Sequence, residues 1–231
     1  MTRLTRVGCV LAAAGVVLLG IGPAKVRGAG FPIAQIFWEF NSTANDLGVH
    51  VSLDAEDWRT VEIVHPNGQT VFKVNGAGGF GKLGMTELFF EGAEPSLDEF
   101  PLEDLLGLFP EGRYTFIGMK VDGHRLTSRP TLSHAIPAGP VVDSQVDGNS
   151  VIISWDPVTA SAPGFPARPI VIVGYQVLVD PFEVTLPASA TRVTLPVEFV
   201  ESLASGDHPF EVLAIEASGN QTITEGSFNT P

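Results

Sequence analysis

Beyond residue 30, short runs of apolar and β-branched residues alternate with breaks rich in Gly, Pro and Asn. In GVHVSLD, residues 48–54, three apolar side chains alternate with His50 and Ser52, the period of two expected of a half-buried strand. The pattern therefore predicts many strands joined by turns. Further strands of the first half are predicted in IAQIFWEF, TVEIVHP, QTVFKVNG, TELFFEG, RYTFIGMKV and RPTLSHAI.

One short helix is predicted in PLEDLLGLF, residues 101–109. Pro101 suits a first helical position, and the acidic pair that follows favours the positive end of a helix. A Gly turn and an alternating strand come next. The second half repeats this order from Pro196, where PVEFVESLASGDH precedes the alternating PFEVLAIEASG. The repetition predicts a similar topology for both halves.

These patterns predict an all-β fold of two tandem immunoglobulin-like β-sandwiches, each with a short helix-like crossover segment. The first sandwich is expected over residues 34–137 and the second over residues 138–231. Between them, IPAGP at residues 136–140 is expected to be a short and fairly stiff linker.

The first residues are ordered like a secretory signal peptide, with two arginines, an apolar run and then small residues. The run VGCVLAAAGVVLLGIG is shorter than the roughly 18 residues of a spanning helix, which favours cleavage over retention as an anchor. A signal peptide at residues 1–28 predicts an exported protein, periplasmic or extracellular, with no stable membrane insertion after cleavage. Cys9, the only cysteine, lies inside the run, so the cleaved chain would have no thiolate for catalysis or zinc.

The charge balance narrows the class of partner. The chain has 26 acidic residues against 13 Lys and Arg, a formal net charge of −13. Such a surface repels phosphate backbones and anionic lipids, so no nucleic acid partner is expected. The predicted partner is a protein or a glycan at the cell envelope.

Several motifs of the second half follow one another in a fixed order. They are Pro140, SVIISWDP with Trp155 and Pro157, GYQVLV with Tyr175 and Val177, TRVTLP, and FEVLAIEASG with Phe210, Val212, Ala214 and Gly219. In this order they resemble a fibronectin type III domain. The resemblance implies a spacer or interaction module, although a fold alone assigns no partner. The corner tyrosine of the family would fall near His208, so its hydroxyl bond is expected to be missing.

The first half contains TELFFEGAEPSLDEFPLEDLL and FPEGRYTF. These segments look like a companion domain of uncharacterised bacterial exported proteins. The resemblance implies no chemistry.

The histidines lack the close spacing of a zinc site. His50 is expected to face solvent from its strand, and His65 to lie in the hairpin turn HPNGQ. His124 and His134 flank one predicted hairpin and could approach each other, but no third ligand is evident. No metal ligand is therefore assigned.

The acidic residues around GVHVSLD suggest a calcium loop, because calcium prefers several oxygen ligands. Asp46 and the turn Asp54–Asp57 lie at opposite ends of the predicted strand, roughly 26 Å apart at about 3.3 Å per residue. They are not expected to share an ion. The favoured interpretation of Asp54, Glu56 and Asp57 is a structural turn, with calcium binding as the alternative. A second acidic run, from Glu91 to Asp104, is interpreted as the solvated face of a crossover.

Motifs of catalysis are missing from the sequence. GAGGFGK, residues 76–82, lacks the Lys-Ser/Thr ending of a phosphate loop and is interpreted as a flexible turn. There is no G-x-S-x-G elbow, and the acidic residues are too scattered to select a glycosidase pair. No catalytic or cofactor-binding residue, and no cofactor, is assigned.

Adjacent aromatic residues occur twice, at Phe37-Trp38 and Phe89-Phe90, with Phe40 near the first pair. The members of each pair must point to opposite faces of a strand. One face is the core, so the other aromatic packs against a neighbouring element or forms a binding patch for protein or glycan.

The function expected is that of an exported noncatalytic binding or structural protein of the bacterial envelope. One alternative is a calcium-stabilised adhesin or carbohydrate-binding protein centred on the acidic turns. A second alternative is a hydrolase with an unrecognised carboxylate site.

Overall fold

The computed structural model describes residues 30–230, and the predicted signal peptide at residues 1–28 lies outside them. The elements of the first half are β1 (Ile33–Asn41), β2 (Asp46–Val64), β3 (Thr70–Asn75), α1 (Gly78–Leu83), β4 (Met85–Glu91), α2 (Leu102–Leu108), β5 (Gly112–Arg113), β6 (Thr115–Lys120), β7 (Arg125–Ser128) and β8 (Thr131–Leu132). The elements of the second half are β9 (Val142–Asp147), β10 (Ser150–Trp155), β11 (Ile172–Val179), β12 (Phe182–Pro187), β13 (Arg192–Thr194), α3 (Val197–Val200), β14 (Gly206–Glu216) and β15 (Gln221–Thr230).

Two clusters of buried apolar side chains form the cores of two β-sandwich lobes. The first cluster packs around Trp38 and Trp58, and the second around Trp155 and Tyr175. The predicted all-β fold of two sandwiches with short helical crossovers is confirmed. Phe165, although it follows the predicted boundary, packs into the first cluster. The predicted boundary at residue 137 stays a prediction.

Strand β2 is one continuous element, where the sequence predicts two strands separated by an acidic turn. Its residues 46–54 pair with β1 and β4, and its residues 58–64 pair with β3 and β6. Between these parts the register shifts and Asp57 has a φ of 57°. An irregularity of this kind bends a strand without ending it. The predicted turn at Asp54–Asp57 is therefore wrong, because Ala55 and Trp58 keep the segment on the core.

A single sheet extends through both lobes in the order β12-β11-β14-β15-β1-β2-β6-β7. The lobes meet where β1 and β15 pair in parallel, with register from Glu39 opposite Gln221 to Asn41 opposite Ile223. A three-stranded sheet, β13-β10-β9, completes the second sandwich. Sequence patterns did not indicate this joint.

Asn220 is the buried polar centre of the joint, with no exposed surface. Its side-chain oxygen accepts a hydrogen bond of 2.9 Å from the backbone N–H of Trp38 in β1. Its amide nitrogen donates to the carbonyl oxygens of Ser133 and Ala135 at 2.8 and 3.2 Å. One side chain of the second lobe thus satisfies three backbone groups of the first.

Further backbone contacts close the joint on either side. The hydroxyl of Thr222 donates to the carbonyl oxygen of Pro137 at 2.6 Å, and the backbone N–H of Ser42 donates to that of Ile223 at 2.9 Å. A side chain at Gly139 would meet the hydroxyl oxygen of Ser42, so the linker needs glycine there. Buried, satisfied polar groups of this kind specify one arrangement of the elements they join.

The two lobes repeat one supersecondary unit around α2 and α3. Each helix follows a proline, Pro101 or Pro196, with a φ of −56° in both cases. Each is succeeded by a glycine with positive φ, 142° at Gly112 and 137° at Gly206, a conformation that other residues rarely adopt. The order of proline, helix, glycine and strand that the sequence shows in both halves is thus matched by the same backbone conformation in both lobes.

A side chain two residues after each of these glycines bonds back to the chain four residues upstream. The hydroxyl of Tyr114 donates to the carbonyl oxygen of Pro110 at 3.2 Å. In the second lobe Nε2 of His208 lies 2.8 Å from the carbonyl oxygen of Ala204. The carbonyl only accepts, so Nε2 carries the proton. The imidazole of His208 thus bonds upstream in the second lobe as the phenol of Tyr114 does in the first.

The three helices of residues 30–230 are short, and none is long and apolar enough to cross a membrane. One of them, α1, occupies GAGGFGK, where the sequence predicts a flexible turn. Gly78, with a φ of 53°, opens this helix and Gly84, with a φ of 82°, closes it.

Candidate functional site

The candidate site lies on the face of the continuous sheet that is turned away from both cores. Neighbouring residues in register share a face, and Phe40, Thr222 and Ala214 are in register on the core face. Glu39 and Gln221 are in register on the opposite face. That face carries polar and acidic side chains across the joint between the lobes.

Three side chains that can each bind a cation converge on this face: Glu39 of β1, His50 of β2 and Glu94 of the segment after β4. The Nε2 atom of His50 lies 3.0 Å from Oε1 of Glu94 and 3.8 Å from Oε1 of Glu39. The three ligand atoms lie within 4.8 Å of one another. Within the described residues, these are the His, Cys, Asp or Glu side chains that lie close enough together, in a group of at least three, to hold a metal ion.

His50 is 4% exposed, so the prediction that it faces solvent is wrong. The alternation does place it opposite the core, but two aromatic rings and an acidic side chain cover it there. The rings of Phe37 and Phe89 lie 5.3 and 5.8 Å from the imidazole, centre to centre. This leaves Nε2 pointing at the two carboxylates.

Glu94 reaches the imidazole because Gly48 leaves room for it. A Cβ atom at Gly48 would lie 2.5 Å from Cγ of Glu94 and 2.7 Å from its Oε1. Any larger residue would therefore displace the carboxylate from His50. Glycine inside a strand commonly marks such a close approach.

Glu39 is oriented from the second lobe. The side-chain amide of Gln221 on β15 donates a hydrogen bond to Oε2 of Glu39, and Gln221 is 6% exposed. The other oxygen, Oε1, faces His50. The geometry of the cluster thus depends on the pairing of β1 with β15.

Burial and charge shift the pKa values of this group. Desolvation raises the pKa of Glu39, and Glu94 adds to this, while His50 opposes it. Desolvation lowers the pKa of His50, but the hydrogen bond to Glu94 and the charge of Glu39 outweigh it, so the net pKa is raised. The imidazole is a better proton acceptor here than in water.

More carboxylates surround the cluster on the same face. Desolvation, with help from Glu94 and Glu225, raises the pKa of Asp46 to about 6. Desolvation and Glu225 raise the pKa of Glu211. Within residues 30–230, the basic side chain next to these carboxylates is His50, which is charged only when protonated. The site therefore has an excess of negative charge that a bound cation would neutralise.

The acidic segment Asp54–Asp57 does not join this cluster. Glu56 and Asp57 are exposed, and a carboxylate oxygen of Asp57 lies 3.7 Å from Nζ of Lys120. Asp46 and Asp54 are held apart along β2, as expected. Within residues 30–230 no residue of this segment belongs to a group of three potential metal ligands, and calcium binding there stays an untested alternative.

The other histidines take separate structural positions. His65 lies in its turn as expected, 5.5 Å from the ring of Tyr114. His124 is exposed and lies 3.0 Å from Asp122. His134 is buried, and its Nε2 lies 2.9 Å from the carbonyl oxygen of Phe109. His124 thus contacts its own turn, whereas His134 contacts the chain just after α2.

The adjacent aromatic residues divide between the faces as predicted. Trp38 is in the core, whereas Phe37 is buried on the opposite face beside His50. Phe90 packs on the first core, and Phe89 is 36% exposed. The first member of each pair, Phe37 or Phe89, therefore forms a wall of the candidate site, a role that the sequence did not assign.

The cluster was not evident from the sequence because its members are distant along the chain. Glu94 is 44 residues from His50 and belongs to a run interpreted as a solvated face. One local signal was available. Gly48 interrupts an alternating strand without ending it, which indicates that another group packs closely above it.

No protein-family model matches the chain, and no curated protein sequence matches it. Among solved structures it is similar to the spore cortex lytic enzyme SleM of Clostridium perfringens, at 17% identity and a TM-score of 0.32, over 42% of this chain and 28% of that one. The tetra-tandem repeat in the extending region of a large adhesion protein matches at 12% identity and a TM-score of 0.27, over 86% of this chain and 50% of that one.

A Ca²⁺-stabilised adhesin of an Antarctic bacterium matches at 13% identity and a TM-score of 0.27, over 86% of this chain and 49% of that one. The chain spans half or less of each of these three structures. At such TM-scores the likeness assigns no function to this chain.

Proposed function

We propose that the chain is an exported, noncatalytic binding and structural protein of the bacterial envelope, with a protein or a glycan as its partner. The observation that carries this proposal is the continuous sheet through both lobes, joined by β1 and β15 and by the buried bonds of Asn220. Such a joint holds two sandwiches at one angle. A stiff pair of sandwiches suits a protein that presents a surface or spans a distance.

The second lobe is proposed to be a fibronectin type III-like module. Its sheet order supports this, since β13-β10-β9 faces β12-β11-β14-β15 with three and four strands. The bond of His208 at the start of β14 supports it too, because it occupies the place of the corner tyrosine. The proposed role is that of a spacer or interaction module.

Export is proposed from the signal-like residues 1–28 and the excess of acidic residues. An exported acidic protein remains in solution and is repelled by anionic polymers. The proposed partner is accordingly a protein, or a glycan that is neutral or basic.

The test uses purified protein immobilised at low density and exposed to solubilised envelope proteins and, separately, to isolated envelope glycans. One of the two fractions is expected to contain material that the immobilised protein retains saturably and that free protein displaces by competition. A broad glycosidase and esterase screen of the same preparation is expected to show no turnover. Turnover of any substrate, or the lack of saturable retention from both fractions, would contradict the proposal.

A further inference from the structure

We propose that Glu39, His50 and Glu94 form a binding site for a divalent first-row transition metal ion of the zinc type. The ligands are Nε2 of His50 and one carboxylate oxygen from each glutamate. The site is independent of the envelope role proposed above, because it rests on these three side chains and not on any partner.

The separations between the ligand atoms fit a small metal ion. Ligands at the zinc distances of about 2.0 to 2.2 Å in a tetrahedron lie about 3.4 Å from one another. The observed distances from Nε2 of His50, 3.0 Å to Glu94 and 3.8 Å to Glu39, lie on either side of this value. Rotation of the glutamate side chains alone can equalise them, and the Glu94 side chain is 33% exposed and free to adjust.

The donor set selects the class of metal. Imidazole nitrogen suits zinc and its first-row neighbours, whereas calcium and magnesium prefer oxygen ligands only. Two carboxylates match the charge of a divalent ion once His50 is neutral. The acidic neighbours Asp46 and Glu211 add a field that favours a cation. These ligands are accordingly expected to bind calcium more weakly than zinc.

The site is preformed and open on one side. His50 is fixed between Phe37 and Phe89, and the side chain of Glu94 closes over Gly48 from the solvent side. Three protein ligands leave a fourth position of a tetrahedral ion for water or for a group of a partner.

Gln221 acts as a positioning residue for the metal. It donates to Oε2 of Glu39, which turns Oε1 towards His50. Partners that orient a ligand typically change metal affinity by about 10- to 100-fold when they are removed. Because Gln221 belongs to β15 and Glu39 to β1, a bound ion would stabilise the joint between the lobes.

The experiment uses purified protein without a polyhistidine tag, stripped with a chelator and titrated with Zn²⁺ by calorimetry and with Co²⁺ by visible absorption. Wild type is expected to bind one equivalent of Zn²⁺ and to show the absorption of four-coordinate Co²⁺. Glu94→Gln and Glu39→Gln keep the shape of the side chain but remove a charged ligand. Each is expected to weaken Zn²⁺ binding by on the order of 100-fold or more. Gln221→Leu is expected to weaken it by about 10-fold.

Glu103→Gln is the matched control, because Glu103 is exposed on α2 and contributes no ligand atom. It should bind Zn²⁺ like wild type. Removal of the exposed His124, by His124→Ala, should also leave binding unchanged. The proposal is overturned if wild type binds no stoichiometric Zn²⁺, or if Glu94→Gln and Glu39→Gln bind as wild type does, which would mean an adventitious ion only.

Discussion

Replacement of Asn220 by Ala tests the joint between the lobes at its buried centre. The substitution removes the acceptor of the Trp38 N–H and the donor to the carbonyl oxygens of Ser133 and Ala135. A buried N–H left without a partner costs about 1 to 3 kcal/mol, and each lost bond to a carbonyl about 1 kcal/mol. The expected loss in the free energy of unfolding is therefore about 3 to 5 kcal/mol, a large share of the stability of a typical domain.

Urea unfolding followed by tryptophan fluorescence measures this loss. Trp38 and Trp58 report on the first core and Trp155 on the second. Asn149→Ala is the control, because Asn149 is exposed and makes its bond to Glu201 at the surface. The control is expected to lose less than about 0.5 kcal/mol. If Asn220→Ala lost as little as the control, Asn220 would not be a structural centre of the joint.

Two further predictions concern the corner residues. His208→Ala should destabilise the second lobe by about 1 kcal/mol through its lost bond to Ala204, whereas His208→Tyr should retain most of that stability. If His208→Ala lost no stability in urea unfolding, the corner bond would contribute nothing. Burial raises the pKa of Tyr114 from 10.0 to about 12. The folded state is therefore expected to lose stability as the pH rises from about 10 towards 12, because the phenol ionises more readily in the unfolded chain. Tyr114→Phe should flatten the alkaline fall in the midpoint of thermal unfolding, and an unchanged fall would refute this assignment.

Much of the strand content was predictable because burial on one face imposes a period of two on the sequence. Val49, Val51 and Leu53 were placed on one face of a half-buried strand for this reason, and all are buried. The prediction of a break in β2 was wrong because it relied on the charged segment Asp54–Asp57, which is typical of a turn. The buried side chains of Ala55 and Trp58 within that segment hold it to the core instead.

The joint and the candidate site were beyond prediction from local patterns. The bond between Gln221 and Glu39 spans 182 positions, and that between Glu94 and His50 spans 44. Periodicity reports which face a residue occupies, but not which distant element covers that face. His50 shows the difference, since its face was predicted correctly and its exposure was not.

The central claim is that the two sandwiches form one rigid unit, and a distance measurement between the lobes tests it most directly. Spin labels at cysteines introduced for the exposed Asp122 and Asn149, with Cys9 replaced by Ser, would report the separation by pulsed electron paramagnetic resonance. A single narrow distance distribution is expected, and Asn220→Ala should broaden it. A broad or multiple distribution in the otherwise unaltered protein would contradict the account.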